Sequence, residues 1–129
     1  EGVQMGSRFI ATEEATVHSL FKQEVLKAKE GDTVLTLKEL SPVRLLKNPF
    51  YEQVEALYQQ REATPENLKQ LLGKGRTKLG MYEGDLQEGE LEIGQVSSLI
   101  QDIKTVKEIF EEVLEEFQQT NSLMNQLIN

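Results

Sequence analysis

Six of the nine glycines in this 129-residue chain fall between positions 73 and 94, and their spacing limits what that stretch can form. They are Gly73, Gly75, Gly80, Gly84, Gly89 and Gly94. A glycine inside a helix costs about 1 kcal/mol relative to alanine, so this spacing excludes a long helix. It predicts a loop-rich crossing instead, with helical segments before and after it.

The first 31 residues have the pattern of a strand, a turn and a helix. Val3 and Met5 indicate a short strand, and Gly6-Ser7 occupies the turn that follows it. Thr12 is predicted to be a helix N-cap, with two glutamates behind it in the first turn. Apolar residues keep a helical spacing from there, and we expect the helix to end at Gly31.

Proline signals divide the next segment into short elements. Residues 32–37 are expected to be extended, and Ser41-Pro42 predicts a brief helix over residues 43–47. Asn48-Pro49 and Thr64-Pro65 each predict the first turn of a further helix, followed by apolar residues at helical spacing. The second of these helices is expected to end at the first glycine of the crossing.

The C-terminal part is predicted to be helical and amphipathic. Residues 95–101 begin helical, and Thr105 with Glu108 has the pattern of a capping box. An apolar stripe follows, formed by Val106, Ile109, Phe110, Val113, Leu114 and Phe117. The polar tail over residues 120–129 is expected either to extend this helix or to fray.

The charge balance and the absence of cysteine exclude several functional classes. With 22 acidic and 14 basic residues the net charge is -8, which opposes nonspecific binding to nucleic acid or to anionic membranes. No apolar run approaches the ~20 residues that span a bilayer, and no signal-peptide pattern is present. Without cysteine there is no disulfide, thiolate metal site or cysteine nucleophile, which is compatible with the cytoplasm.

Four ordered parts of the chain carry a family resemblance. Gly2–Phe9 is similar to G-V-Q-M-G-T-R-F, with Ser7 in place of threonine, and Ala15–Lys22 is similar to A-x-x-H-x-x-Y-K. In the third part, Val43-Arg44 with Lys47-Asn48 is similar to V-R-x-x-K-N. In the fourth, Gly84-Asp85 with Gly89 and Gly94-Gln95 is similar to a G-D…G…G-Q run. Together they resemble the nitronate monooxygenase family, formerly the 2-nitropropane dioxygenases, which includes FMN-dependent enoyl-ACP reductases.

The resemblance implies an α/β fold in the parent, with this chain as the C-terminal part of an FMN-binding (β/α)8 TIM barrel. A complete barrel takes about 250 residues, so the chain holds roughly half of one at most. Because it starts without methionine inside a strand-like segment, we expect a fragment that is mostly α-helical with one or two short strands. Residues 1–31 are expected to form the last barrel strand, the phosphate turn and the following helix. Residues 32–93 are expected to form a helical lid or insertion region with the glycine-rich loop, and residues 94–129 the closing helices.

By the same resemblance, the first segment holds the phosphate of FMN. We expect the turn at Gly6 and Ser7 to bind it, with Gln4 and Met5 as neighbours on the strand. Glycine lets the backbone approach a phosphate, the Ser7 hydroxyl can donate to it, and a following helix adds a favourable dipole. The family's catalytic histidine and other flavin loops lie upstream of this chain, so no catalytic residue and no metal ligand is assigned here.

The resemblance therefore predicts an intact FMN-dependent oxidoreductase whose flavin takes electrons from a nitronate or from NAD(P)H. Its substrate is a small molecule or an acyl carrier protein thioester, and the sequence does not choose between them. The isolated chain is expected to be inactive. A lone barrel strand leaves both edges unpaired, so it must pair with missing barrel segments, with another copy in a homo-oligomer, or within a rearranged fold. The alternative is a noncatalytic acidic helical protein-interaction module, which the amphipathic C-terminal half favours.

Other residues that invite a chemical role have a simpler interpretation. His18, the sole histidine, is predicted inside a helix without an acid or serine partner, which is typical of a structural histidine. Arg8 is expected to be structural or at the rim. Gly73–Lys78 lacks the spacing of a phosphate loop, and the glutamates over 108–116 indicate a solvated helix face. Gly94-Gln95 indicates either close packing at the cleft or a simple helix start.

Overall fold

The computed structural model describes residues 2–128, which alternate short helices with one small sheet. In chain order these residues form α1 (Ser7–Ile10), α2 (Ser19–Lys27), β1 (Thr33–Thr36), β2 (Val43–Leu46), α3 (Pro49–Gln59), α4 (Pro65–Leu72), a π-helical turn (Lys78–Tyr82), a 3-10 helix (Gln95–Leu99) and α5 (Val106–Ile128). Within this range the chain is mostly helical with two strands, as predicted. None of these helices is long and apolar enough to cross a bilayer.

Helices α3 and α4 begin where the sequence predicts them. The Asn48 side chain accepts a hydrogen bond from the Tyr51 N–H at 3.0 Å, and Thr64 accepts one from the Asn67 N–H at 3.2 Å. Proline follows each cap, where its missing N–H costs nothing. Gly73 ends α4 with a φ of 62°, a conformation that glycine adopts without strain.

Helix α2 begins later than predicted and ends earlier. Its N-cap is His18, whose Nδ1 accepts from the Leu20 N–H at 3.1 Å, and its last residue is Lys27. The prediction of an N-cap at Thr12 is wrong. The Thr12 hydroxyl donates to the Phe9 carbonyl at 2.8 Å and accepts from the Ala15 N–H at 3.2 Å, but α2 begins only at Ser19, with His18 as its cap. The predicted end at Gly31 is also wrong, since α2 stops before that glycine.

The brief helix predicted over residues 43–47 is instead strand β2. It pairs antiparallel with β1, with Thr33 opposite Leu46 and Thr36 opposite Val43. The predicted extended piece over residues 32–37 is confirmed as β1. Pairing decides the outcome. A five-residue helix satisfies few of its own backbone groups, whereas a neighbouring antiparallel strand bonds alternate residues along the whole length of β2.

The barrel strand predicted at Val3 and Met5 is not formed among the described residues. Residues 2–6 have no regular structure, and α1 begins at once with Ser7. A strand needs a neighbour for its backbone groups, and neither β1 nor β2 lies beside this segment. The Phe9 N–H donates instead to the Gly6 carbonyl at 2.9 Å, so the turn leads from coil into helix.

Two apolar clusters form the interior, and β2 contributes to both. The first contains Ala11, Val17, Phe21, Val25, Ala28, Leu46, Met81, Leu91, Ile93 and Ile100. The second contains Leu37, Leu45, Phe50, Val54 and Leu68. Leu45 and Leu46 are consecutive on a strand and so point to opposite faces. Full burial of one such side chain contributes about 1.5–3 kcal/mol, so β2 couples the two clusters.

The glycine-rich crossing from α4 to the 3-10 helix depends on a close approach of two backbones. A Cβ on Gly89 would lie 2.1 Å from the Cα of Gly80, so only glycine fits there. The Asn48 side-chain amide donates to the carbonyls of Leu86 at 2.9 Å and Gly89 at 2.8 Å, which anchors the crossing to the start of α3. The prediction of a loop-rich crossing without a long helix is confirmed.

Helix α5 opens with the predicted capping box. The Thr105 N–H donates to Glu108 Oε2 at 2.8 Å, and the Glu108 N–H donates to Thr105 Oγ1 at 3.2 Å. Ile109 is buried, and the Phe110 ring centre lies 5.8 Å from that of Phe9. The exposed part of the stripe comprises Phe110, Val113, Leu114 and Phe117. The helix continues to the last described residue, so the tail extends it rather than fraying.

Candidate functional site

The predicted phosphate turn lies where the N-terminal coil passes into α1. Gln4 and Gly6 are exposed and Met5 is half-buried. Gly6 has a φ of -124°, and a Cβ built on it meets no atom within 4 Å. Neither the backbone nor the neighbouring side chains therefore demand glycine at this position. The turn is open, and the first N–H groups of α1 lack intrahelical acceptors.

Ser7 is held in place by a residue from the far end of the crossing. Its Oγ accepts a hydrogen bond from the Gly94 N–H at 2.9 Å. A Cβ on Gly94 would lie 2.6 Å from that oxygen, so glycine is needed for the contact. Both interpretations of Gly94 hold, because the glycine packs closely on Ser7 and also precedes the first residue of the 3-10 helix. A hydroxyl that accepts one hydrogen bond still has its own proton to donate.

Arg8 follows the turn, but its charge is already paired. Its guanidinium donates to the Asp102 carboxylate at 2.6 Å and to the carbonyls of Asp102 and Ala11 at 3.0 Å and 3.3 Å. Lys104 forms a second ion pair with Asp102 at 2.9 Å. The hydrogen bond from Lys104, with the charges of Lys104 and Arg8, holds the pKa of Asp102 below its ordinary 3.8. Arg8 is a structural residue, as predicted.

The helix after the turn is shorter than the phosphate prediction assumed. The segment α1 has four residues, and the longer α2 begins only at Ser19. A helix dipole grows with the aligned peptide units, so α1 adds little to the field at Ser7. The donors that remain at the turn are the backbone N–H groups and the Ser7 hydroxyl.

His18 supports the fold, although it caps α2 and does not lie inside the helix. Its backbone N–H donates to the Met81 carbonyl at 2.7 Å, which joins α2 to the crossing. A Cβ on Gly84 would lie 2.5 Å from the His18 ring, so the imidazole packs directly on that glycine. The prediction of a structural histidine is confirmed by these contacts.

The loop Gly73–Lys78 and the glutamates over residues 108–116 also have structural or solvent-exposed positions. Arg76 donates to the carbonyls of Leu71 and Leu72 at 2.9 Å and 3.1 Å and lies 4.7 Å over the Phe50 ring. Lys74 is exposed. The glutamates of α5 face solvent, and within residues 2–128 no three His, Cys, Asp or Glu side chains are grouped to hold a metal.

An open cleft of about 920 Å³ lies between the hairpin and the 3-10 helix. Thr33 and Arg44 line one side, and Gln95 and Ser98 line the other. The Arg44 guanidinium donates to the Thr33 hydroxyl at 3.3 Å, so a cation borders the cleft. Arg44 was not predicted as a cleft residue, because its place depends on strand β2, where the sequence predicted a helix. Gln95 follows Gly94, so the cleft adjoins the Ser7 contact.

Known proteins are similar to this chain over nearly its whole length. The model of the nitronate monooxygenase family matches residues 1–116. A probable nitronate monooxygenase of Bacillus subtilis is 29% identical over 118 residues, which are 90% of this chain and 33% of the relative. One from Staphylococcus saprophyticus is 29% identical over 126 residues, which are 97% of this chain and 34% of the relative.

Solved structures give the same result. FabK from Thermotoga maritima matches with a TM-score of 0.86 and 36% identity, covering 97% of this chain and 39% of that chain. The likeness to this TIM-barrel enzyme confirms the predicted fold class. The chain spans about a third of the length of the curated relatives it matches.

Proposed function

The chain belongs to the nitronate monooxygenase family, and on that premise we propose that the whole enzyme is an FMN-dependent oxidoreductase. Its reaction is of the nitronate monooxygenase or the enoyl-ACP reductase type, which the family match and the likeness to FabK support together. The observation that carries the proposal to particular residues is the open turn at Gly6 and Ser7, where a hydroxyl proton remains to be donated.

The residues of the turn suit a phosphate group. Gly6 leaves open space beside the backbone, and the Ser7 hydroxyl is oriented by the Gly94 N–H so that its proton faces away from that bond. Gln4 and Met5 precede the turn as its neighbours. Because Arg8 is committed to Asp102, binding would rest on neutral donors. When bound, FMN supplies the redox chemistry, taking electrons from a nitronate or from NAD(P)H.

The remaining segments have proposed places around the flavin. Residues 32–93 form the lid, and residues 94–129 form the closing helices. The cleft beside Gln95 and Arg44 is a candidate entry for a small substrate or for the thioester arm of an acyl carrier protein. This chain carries no assigned catalytic residue, so we expect no turnover from it alone.

Substitution of Ser7 tests the proposal in the protein expressed from the complete reading frame. A hydrogen bond to a charged group is worth about 1.5–3 kcal/mol, so Ser7→Ala should weaken FMN binding roughly 10- to 100-fold. Ser7→Thr keeps the hydroxyl and should bind FMN nearly as the natural protein does. Riboflavin, which lacks the phosphate, should bind all three proteins equally. Equal losses for FMN and riboflavin in Ser7→Ala would place the phosphate elsewhere.

The exposed side of α5 favours a second candidate, a noncatalytic acidic interaction module. Phe110, Leu114 and Phe117 are each more than half exposed, at 55%, 58% and 67%. An amphipathic helix with such a face can dock on an apolar partner. Flavin content separates the two candidates, because an interaction module has no reason to retain FMN through desalting.

A further inference from the structure

Two glutamate side chains share one threonine hydroxyl at the end of the crossing. Oγ1 of Thr77 lies 3.0 Å from Oε2 of Glu90 and 2.7 Å from Oε1 of Glu92. Both distances are those of hydrogen bonds. The proposed flavin site uses neither carboxyl, so this cluster is independent of it.

The backbone explains why the two carboxyls lie side by side. The Leu46 N–H of β2 donates to the Leu91 carbonyl at 2.9 Å, so the segment after Gly89 runs extended beside the sheet. Side chains alternate along an extended segment, which sends Leu91 into the core and places Glu90 and Glu92 together on the other side. Glu90 is only 6% exposed, so its carboxyl is largely removed from water.

The number of protons at this cluster carries the inference. A threonine hydroxyl has one hydrogen and can donate to only one of the two carboxyls. The threonine oxygen and the oxygen of the second carboxyl are then two acceptors facing each other. This contact becomes a hydrogen bond only if the second carboxyl is protonated and donates to the threonine oxygen. We propose that Glu90, Thr77 and Glu92 form a proton-sharing acid pair. The pair holds the start of the crossing, at Thr77, against its last residues while it keeps a proton, and this contact loosens when that proton leaves.

The charges around the pair do not replace the proton. The positive charge of Arg76 acts on Glu90, but its guanidinium is shared with the Glu88 carboxylate at 3.0 Å. Lys78 pairs with Glu83 at 3.2 Å, and Arg44 of β2 hydrogen-bonds within the hairpin. The other residues that line the pocket beside the two carboxyls are uncharged, namely Leu37, Leu40, Ser41, Pro42, Val43 and Leu72. The pair is therefore short of positive charge.

The direction of the pH effect follows from burial. Burial raises the pKa of Glu90 above its ordinary 4.5, and the charge of Glu92 adds to this against the opposing Thr77 hydrogen bond and Arg76 charge. A carboxyl whose pKa is raised on folding stabilises the fold while it is protonated. That contribution is complete below pH 4.5 and is lost as the pH rises through the raised value. The crossing should therefore loosen from acid toward neutral pH.

An NMR titration of the glutamate carboxyl carbons in the natural chain tests the pairing without any variant. We expect the carboxyl carbon of Glu90 to titrate above 4.5. If Glu90 titrates at or below 4.5, the proposal is overturned.

Hydrogen exchange provides the local readout. The Glu90 N–H donates to the Arg76 carbonyl at 3.0 Å, so its protection reports closure of the crossing. Protection in the natural chain should fall as the pH rises, after correction for intrinsic exchange. Glu90→Gln keeps a neutral group at the hydroxyl and should abolish this fall, whereas Glu116→Gln, at an exposed carboxyl of α5, should leave it unchanged. The same pH dependence in Glu90→Gln as in the natural chain contradicts the switch.

Discussion

We expect Gly94→Ala to weaken the fold through a single atom, the hydroxyl oxygen of Ser7. Gly94 has a φ of -73° and a ψ of 160°, which alanine adopts freely, so the substitution adds no backbone strain. The new Cβ would lie 2.6 Å from Ser7 Oγ but 3.8 Å from Ser7 Cβ. Rotation of the serine side chain removes the overlap, at the cost of the 2.9 Å hydrogen bond from the Gly94 N–H.

The expected loss in the free energy of unfolding for Gly94→Ala lies between two limits. Losing the hydrogen bond alone costs about 0.5–1.5 kcal/mol, and over-packing without rotation costs about 1–3 kcal/mol. We therefore expect the free energy of unfolding to fall by about 1–2 kcal/mol for Gly94→Ala. In urea, where the slope is about 1–3 kcal/mol/M for a small domain, the unfolding midpoint should fall by roughly 0.5–1 M.

A double-mutant cycle identifies the responsible atom. Ser7→Ala removes the oxygen that the Cβ of Gly94→Ala would overlap. In the Ser7→Ala background, Gly94→Ala should therefore change the free energy of unfolding only slightly. Gly6→Ala is the matched control, because its Cβ meets no atom within 4 Å and its φ is negative. It should change stability by no more than about 0.5 kcal/mol. If the losses in the free energy of unfolding at Ser7 and Gly94 are fully additive, or if Gly6→Ala loses as much as Gly94→Ala, the Ser7 oxygen is not the cause.

Two further substitutions test how the crossing is held. Gly89→Ala places a methyl carbon 2.1 Å from the Cα of Gly80. Because a backbone atom cannot rotate away as a side chain can, we expect the cooperative unfolding transition seen by circular dichroism to disappear. An unfolding transition like that of the natural protein would contradict this packing. Asn48→Ala removes the cap of α3 and two donations to the crossing, so urea unfolding should show a loss of about 2–4 kcal/mol. Asn48→Ser keeps a cap acceptor without setting a carboxylate against the two carbonyls and should lose about half as much, and an equal loss would show that the cap contributes nothing.

The parts of the fold that the sequence predicts are those decided within a few residues. Asn48-Pro49, Thr64-Pro65 and the Thr105 to Glu108 box each combine a side-chain acceptor with N–H groups two or three positions away. Such caps act before any tertiary contact forms, so their pattern is visible in a single sequence. The glycine spacing of the crossing is visible for a similar reason, because it acts on the local backbone.

The parts that were missed depend on partners far along the chain. Residues 43–46 form a strand because β1 and Leu91 supply hydrogen bonds, and no local pattern announces that pairing. Thr12 does not cap α2, because that helix begins only at Ser19, with His18 as its cap. The Ser7 and Gly94 contact joins residues 87 positions apart. The sequence indicated close packing at Gly94 as one of two interpretations, but not Ser7 as the partner.

The most direct test of the central claim is the flavin content of the protein purified from the complete reading frame that encodes this chain. We expect a yellow protein after desalting, with one FMN released on denaturation and identified by mass. Ser7→Ala should lose that FMN, and Ser7→Thr should keep it. A colourless protein that binds neither FMN nor riboflavin would contradict the assignment of this chain to a flavin enzyme and of Gly6-Ser7 to its phosphate.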